Sequence, residues 1–192
     1  MSLFVVIEGI DGTGKSTVTQ AVSEKLGWNH LKALPDCFRP IVTEAGNLND
    51  HNSYHLTVLG ALKYVSTQVE SHLEAGENVI SDRYVLTPYF YHRAVGKSWG
   101  VKNLMLVELE PFGFVKPDLT IHLTVSEEAR QKRLSSRGKL SDSDKDMQNR
   151  NIREEVLRGY TENADVVIDT TNLTIDEVVK LVEKAIERIE GS

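Results

Sequence analysis

The sequence has one cysteine, Cys37, among 192 residues. A single thiol forms no internal disulfide and builds no thiolate metal cluster. Without an obvious partner base nearby, Cys37 reads as a small buried or half-buried side chain rather than a nucleophile. No apolar run approaches the roughly 18 residues of a membrane helix. The opening LFVVIEG is too short for a signal peptide and has no basic segment before it. A cytoplasmic protein is therefore expected, with no membrane partner. Positive charge is also scarce: Lys plus Arg number 22 against 28 Asp plus Glu, a net charge of −6. That argues against nucleic acid as a partner, which calls for a broad basic face. An anionic ligand would have to be met by a local positive site.

Apolar residues make up 40% and charged residues 26%, ordinary values for a globular domain. Short apolar, β-branched runs recur at Leu3–Glu8, His30–Leu34, Asn78–Ser81, Leu119–Val125 and Val166–Asp169, and read as strands. Between them lie helical patterns: Lys15–Leu26 stopped by Gly27, Tyr54–Ala75 capped by Gly76, and Ile152–Asn163. A helix follows Ser126 as N-cap, and Thr174–Ile189 opens with the capping box Thr174-Ile-Asp-Glu177. Residues 85–109 read as helical with a break near Lys97–Gly100, and Pro35–Ser53 reads mostly as loop. Arg137–Arg150, charged and nearly without apolar residues, reads as a mobile flap. Strands alternating with helices give an α/β fold, a five-stranded parallel sheet with helices on both faces. No repeat or linker divides it, so residues 1–192 are expected to form a single domain.

Gly9-Ile-Asp-Gly-Thr-Gly14-Lys15-Ser16 fits G-x-x-x-x-G-K-[ST], between a strand and a helix as that motif requires. A chance match in a chain of this length is expected on the order of once in a hundred. The glycines let backbone N–H groups of Gly9, Gly12, Thr13 and Gly14 curl around phosphate oxygens, and the helix presents its positive end. Lys15 brings a full charge to the β/γ-phosphates, and Thr17 lies in the first turn. The Ser16 hydroxyl is placed to ligate Mg²⁺. Asp11, inside the loop, suits a hydrogen bond to a sugar hydroxyl of a second substrate, or is a solvated loop acid.

Asp82-Arg83 follows the third strand, at the sheet end where ligands bind in open α/β sheets. Asp82 would face the Mg²⁺ shell, and Arg83 would hold an acceptor phosphate bidentately. A strand-end salt bridge is the plainer reading. Arg130, Lys132, Arg133, Arg137 and Lys139 run into the flap, and Arg150, Arg153 and Arg158 return from it. Such a basic lid, at about 137–150, would close over a migrating phosphoryl group and exclude water. Among these basic residues Arg133, Arg137 and Arg150 are singled out.

FVVIEGIDGTGKST, GENVISDRYVLTPYFYH, PDLTIHLTVSEEARQKRLSSRG and REEVLRGY together resemble the thymidylate kinase family. The resemblance spans most of the chain, with gaps at 30–60 and 139–149. It implies a P-loop kinase fold, ATP as donor with Mg²⁺, a deoxynucleoside monophosphate as acceptor, and a homodimer. It also implies that Asp11 reads a sugar hydroxyl, that Arg83 sits between donor and acceptor phosphates, and that Tyr91 and Tyr160 contact the nucleoside. Gly12 stands where some members carry Arg, which shifts the catalytic cation to the flap. Two places depart from the family. Leu34-Pro35-Asp36-Cys37-Phe38-Arg39-Pro40 replaces its Arg-Glu-Pro-Gly-Gly, and Ala61 stands near an acceptor-holding Arg, with Lys63 two residues on.

Three readings follow. The first is transfer to a nucleoside monophosphate, most naturally dTMP, with Arg39 replacing the lost Arg. The second is a kinase of a nucleoside or other small alcohol, with Asp36 as base; a turn acid after Pro35 is the plainer reading of Asp36. The third is a nucleotide-binding regulator that performs no transfer.

Overall fold

A computed structural model describes residues 2–48, 50–98, 112–136 and 145–191. Among these residues, five parallel strands alternate with seven helices. β1 (Phe4–Glu8) leads into α1 (Lys15–Leu26), and β2 (Asn29–Lys32) into α2 (Arg39–Asn47) and α3 (His51–Glu74). β3 (Val79–Asp82) is followed by α4 (Leu86–Ser98), and β4 (Leu119–Thr124) by α5 (Glu127–Ser135). α6 (Arg150–Asn163), β5 (Val166–Asp169) and α7 (Ile175–Glu190) complete the order. The strands lie in the order β2-β3-β1-β4-β5.

β1 is buried throughout because both faces of the sheet are covered. Its side chains alternate between two cores. Val5 and Ile7 pack with α1 and α7 through Val18, Val22, Val178, Val182 and Ile186. Phe4 and Val6 pack with α3 through Leu62, Val65 and Val69. Burying each such side chain is worth about 1.5–3 kcal/mol relative to exposure. A third core joins α4 to α6 through Ala94, Ile152, Val156 and Tyr160.

The capping signals hold. Ser126 accepts from Ala129 N–H at 3.3 Å, and Thr174 and Glu177 form the reciprocal box. At the end of α3 the cap is Ala75, and Gly76 beyond it takes the positive φ of 79°.

Three expectations are corrected. The stretch 35–53 is not mostly loop: α2 occupies Arg39–Asn47, and α3 starts at His51 behind Asp50, whose carboxylate accepts from Asn52 N–H. Cys37 is exposed rather than buried. The flap read over 137–150 is partly folded. Met147 is buried, its carbonyl accepts from Arg153 at 2.7 Å, and Asn149 caps α6, so Arg150 begins a helix. Residues 137–144 lie outside the described residues, as does the part of the expected 85–109 helix beyond Ser98.

Candidate active site

Ile7 of β1 pairs with Asp82 of β3, so the loop after β1 and the turn after β3 emerge side by side. The chain crosses from one side of β1 to the other between β3 and β4, which makes this sheet end the crevice. At Gly9 a β-carbon would lie 2.7 Å from the Leu123 carbonyl of β4. At Gly12, with φ of 94°, it would lie 2.8 Å from Arg130 Cγ. Side chains are thus excluded at both positions. Thr13 Oγ1 donates to the Ile10 carbonyl at 3.0 Å and tightens the curl. Past Gly14, α1 begins at Lys15, with Ser16 and Thr17 exposed in its first turn.

Lys15 is buried, and its Nζ donates to Asp11 Oδ1 at 3.1 Å and to the Ile10 carbonyl at 3.3 Å. Burial first, then Arg83 beside it, pushes the ammonium below its usual range, against the pull of Asp11 and Asp82. The same Asp11 oxygen accepts from Arg83 Nη2. Asp11 therefore joins the loop lysine to the arginine after β3.

Arg83 is the one non-glycine residue with positive φ among the described residues, at 69°. An L-residue in that region costs about 1–2 kcal/mol. Two bonds hold it there: Arg83 N–H donates to the Ile7 carbonyl at 3.0 Å, and Ser81 Oγ donates to the Arg83 carbonyl at 2.7 Å. Burial opposes its charge, yet Asp11, Tyr160, Glu8 and Asp82 hold the guanidinium more firmly protonated than usual.

Asp82 Oδ1 is buried and has no hydrogen-bond partner. A carboxylate oxygen is costly in that state unless a cation meets it. With the exposed Ser16 hydroxyl across the crevice, this donor set suits Mg²⁺, which keeps waters and phosphate oxygens as most of its ligands.

On one side of the loop, a groove of about 420 Å³ is lined by Gly12, Thr13, Thr17, Arg133, Thr170 and Leu173, among others. Arg133 is fixed at its wall. Its guanidinium donates to the Gly12 carbonyl at 3.2 Å, Thr170 Oγ1 at 3.0 Å and the Thr170 carbonyl at 2.7 Å.

On the other side, a cavity of about 450 Å³ is lined by Val42 and Asn47 of α2, Tyr54 and His55 of α3, Tyr91 and His92 of α4, Asp50 and Asp146, among others. Tyr54 stacks on His92 with ring centroids 5.2 Å apart, and His55 lies 3.8 Å from His92. Tyr91 donates its hydroxyl to Asp146, and burial, then Asp146, pushes that phenol up.

Lys15, Asp11, Asp82, Arg83, Ser16, Thr17 and Arg133 thus gather at one sheet end, and Tyr91 stands on the cavity wall. Of the other residues singled out, Tyr160 reaches the site from behind and the rest lie elsewhere. Asp36 and Arg39 are exposed and pair with each other at 2.7 Å, so neither presents an unpaired charge. The α2 side chains that do line the cavity follow them. Tyr160 is buried and donates to Thr87 Oγ1 at 3.1 Å. Arg150 is 79% exposed and bonds Glu154 at 2.6 Å. Arg137 lies outside the described residues. Arg130, read as part of a basic surface, is fully buried and bonds Glu127 at 2.7 and 2.9 Å.

Sequence reasoning passed over Glu8, which is fully buried. Its carboxylate accepts from Tyr84 N–H at 2.9 Å and from Thr87 Oγ1 at 2.6 Å, and burial pushes its pKa up to about 7. The signal was an acid closing an otherwise apolar strand. Tyr54, His55 and Asp146 gave no local signal.

A thymidylate kinase family model matches residues 7–182. A probable thymidylate kinase from Pyrobaculum aerophilum is 29% identical, over 97% of each chain. One from Archaeoglobus fulgidus is 30% identical, over 96% of this chain and 95% of the relative. The solved thymidylate kinase of Candida albicans superposes with a TM-score of 0.77 at 23% identity, over 98% of this chain and 92% of that one. A deoxyadenosine kinase from M. mycoides, solved with bound dATP, gives a TM-score of 0.71 at 21% identity, over 96% of this chain and 99% of that one. The last two likenesses carry the fold, and no described helix is long and apolar enough to cross a membrane. With the family's match running from the end of β1 into α7, and a glycine loop that opens α1 beside Asp82-Arg83, the chain belongs to the thymidylate kinase family and is a P-loop kinase.

Proposed function

We propose that this kinase transfers the γ-phosphoryl group of Mg·ATP to dTMP, giving dTDP. The observation that carries the reading is the bridge made by Arg83. Its guanidinium reaches Asp11 in the phosphate loop and Thr87 on α4, the helix that carries Tyr91 to the cavity wall. A cation held between two nucleotide sites is what phosphoryl transfer asks of a protein.

In this reading Gly9–Ser16 cradles the donor phosphates, with Lys15 on the β/γ-phosphates and Thr17 and Arg133 along the groove that takes the rest of the nucleotide. Ser16 and Asp82 hold Mg²⁺, which when bound neutralises charge on the migrating group. Asp11 reads the acceptor sugar and keeps Lys15 and Arg83 in register. Tyr91 bounds the acceptor, and Tyr160 supports that wall from behind through Thr87. The acceptor phosphate is already nucleophilic, so no strong base is required. Arg137, in the flap expected from the sequence, supplies further positive charge to the migrating group in this reading, while Arg150 stays in the first turn of α6. A homodimer, found commonly in this family, is part of the proposal.

One observation favours transfer to a nucleoside instead. The acceptor cavity carries Asp50 and Asp146 but no Lys or Arg among its described lining residues, a poor match for a dianionic acceptor. Asp36, the base that reading needs, is exposed and bonded to Arg39, which weakens it.

Incubation with Mg·ATP and a panel of nucleosides and their monophosphates, followed by ADP release, separates the readings. Turnover with dTMP above the other acceptors is expected. Turnover with nucleosides alone would sink the proposal in favour of the second reading, and release no faster than background hydrolysis would favour a regulator.

A further inference from the structure

The Thr87 hydroxyl stands at the centre of three polar groups. Arg83 Nη1 donates to it at 3.3 Å, Tyr160 OH donates to it at 3.1 Å, and it lies 2.6 Å from Glu8 Oε2. A hydroxyl has one proton and two lone pairs. Two incoming donors fill the lone pairs, so its proton goes to Glu8. That arrangement requires Glu8 Oε2 to accept, which an ionised carboxylate does.

We infer that Glu8 is a positioning residue for the transfer, acting through Thr87 to hold Arg83 and Tyr160 in place, and that its protonation releases one of them. The inference rests on the proposed function only for the role of Arg83. The proton count is direct. If Glu8 carries the proton on Oε2, it donates to Thr87 and takes a lone pair. Arg83 and Tyr160 then compete for the one that remains. Either the guanidinium turns away or the buried phenol loses its acceptor, and a buried donor without an acceptor is costly. The negative charge that Glu8 adds beside those of Asp11 and Asp82 near Arg83 is lost as well.

The surroundings make this protonation accessible near neutrality. Glu8 is fully buried, which favours the acid form. Opposing that, Arg83 beyond β3 and Lys15 of α1 favour the carboxylate, as do the bonds from Thr87 of α4 and the Tyr84 backbone. Asp11 of the loop and Asp82 of β3 act on the same pair of cations. Tyr160 approaches from α6, and His122 is the register partner of Glu8 on β4, itself pushed down by burial to about 4. His122 is therefore neutral where Glu8 titrates. Asp11 accepts from Nη2 of Arg83, and the other end of the fork, Nη1, meets Thr87.

The test compares turnover from about pH 5.5 to about pH 9 in the wild type, Glu8→Gln, Thr87→Val and Thr87→Ser. The wild-type kcat is expected to rise roughly tenfold or more through an inflection near neutrality. A glutamine donates its amide hydrogen to Thr87 and mimics the acid form, so Glu8→Gln should lose the inflection and sit at the wild type's acid level. Thr87→Val should lose it too, while Thr87→Ser, which keeps the hydroxyl, restores it. The acceptor phosphate also titrates near neutrality in every variant, so the inflection is read from the ratio of wild-type to variant kcat at each pH, where that shared titration cancels. Glu8→Gln retaining the wild-type profile would overturn the inference. So would Thr87→Val that slows turnover yet keeps the inflection.

A second arm needs no substrate. The Glu8 carboxyl carbon, followed by carbon-13 NMR, should titrate near neutrality and shift upward in Thr87→Val, which removes the bond favouring the carboxylate. If no acceptor is phosphorylated, the proposed function fails but this titration still decides the inference. A midpoint that does not move in Thr87→Val would overturn it. If Glu8→Gln does not fold, the two Thr87 variants carry the test.

Discussion

Gly159 of α6 faces the ring of Phe90 on α4 so closely that a β-carbon at 159 would lie 2.2 Å from it. The two helices form the wall behind Tyr91 and Thr87. Gly159→Ala would favour the helix by up to about 1 kcal/mol from propensity alone. Overpacking against Phe90 should outweigh that, for a net loss of about 1–2 kcal/mol in chemical denaturation. In a Phe90→Ala background the sign should reverse, because the space is then open. Equal effects in both backgrounds would show that the contact does not govern this wall.

Arg133 is bonded on both the loop and Thr170 sides, so it is held in place before any nucleotide arrives. Arg133→Ala should raise the KM for ATP about tenfold, with a smaller effect on the KM for the acceptor. Initial-rate kinetics with each substrate varied separately would show this. A change confined to the acceptor KM would place Arg133 on the wrong side of the site.

Two buried groups set opposite pH windows for stability. Glu8 has a folded pKa raised to about 7 from the usual 4.5, so the unfolded state ionises first. Its contribution is fully present below about 4.5 and is lost as the pH rises through about 7, on the order of 3 kcal/mol in all. His122, lowered to about 4 from 6.5, contributes above 6.5 and loses that contribution as the pH falls towards 4. Denaturant unfolding across pH should therefore show a flatter neutral limb in Glu8→Gln and a flatter acid limb in His122→Asn. Parallel curves for wild type and variants would contradict both assignments.

Much of the scaffold was legible because its signals are local. The strands are short β-branched runs, and α7 announces itself by the Thr174 box and by Val178, Val182, Ala185 and Ile186 on one side. α2 was not legible. It buries only Val42 and Ala45, starts behind Phe38 with no side-chain cap, and carries Pro40 and Gly46. It packs on α3, and a helix of 9 residues that carries Pro40 and Gly46 leaves too short a pattern to outweigh those turn signals. The phosphate-loop half of the site was readable because one contiguous motif builds it. The cavity on the other side draws scattered residues from α2, α3, α4 and the segment before α6, so Tyr54, His92 and Asp146 meet only after folding.

The Tyr91–Asp146 bond ties α4 to the segment that leads into α6 at the wall of the cavity proposed for the acceptor. Tyr91→Phe, which removes only the hydroxyl, should raise the acceptor KM about three- to tenfold while leaving the KM for ATP close to the wild type. Asp146→Asn should do the same to a smaller degree, since the amide oxygen still accepts. An effect on ATP alone would detach this wall from the acceptor.

The most direct measurement follows the label itself. ATP labelled in its γ-phosphoryl group is incubated with Mg²⁺, dTMP and the protein, and the products are separated. The account predicts labelled dTDP from the wild type. It predicts a loss of at least roughly a hundredfold in Lys15→Ala, with the circular dichroism of the fold unchanged. Label released only as inorganic phosphate, or dTDP formed equally by Lys15→Ala, would contradict it.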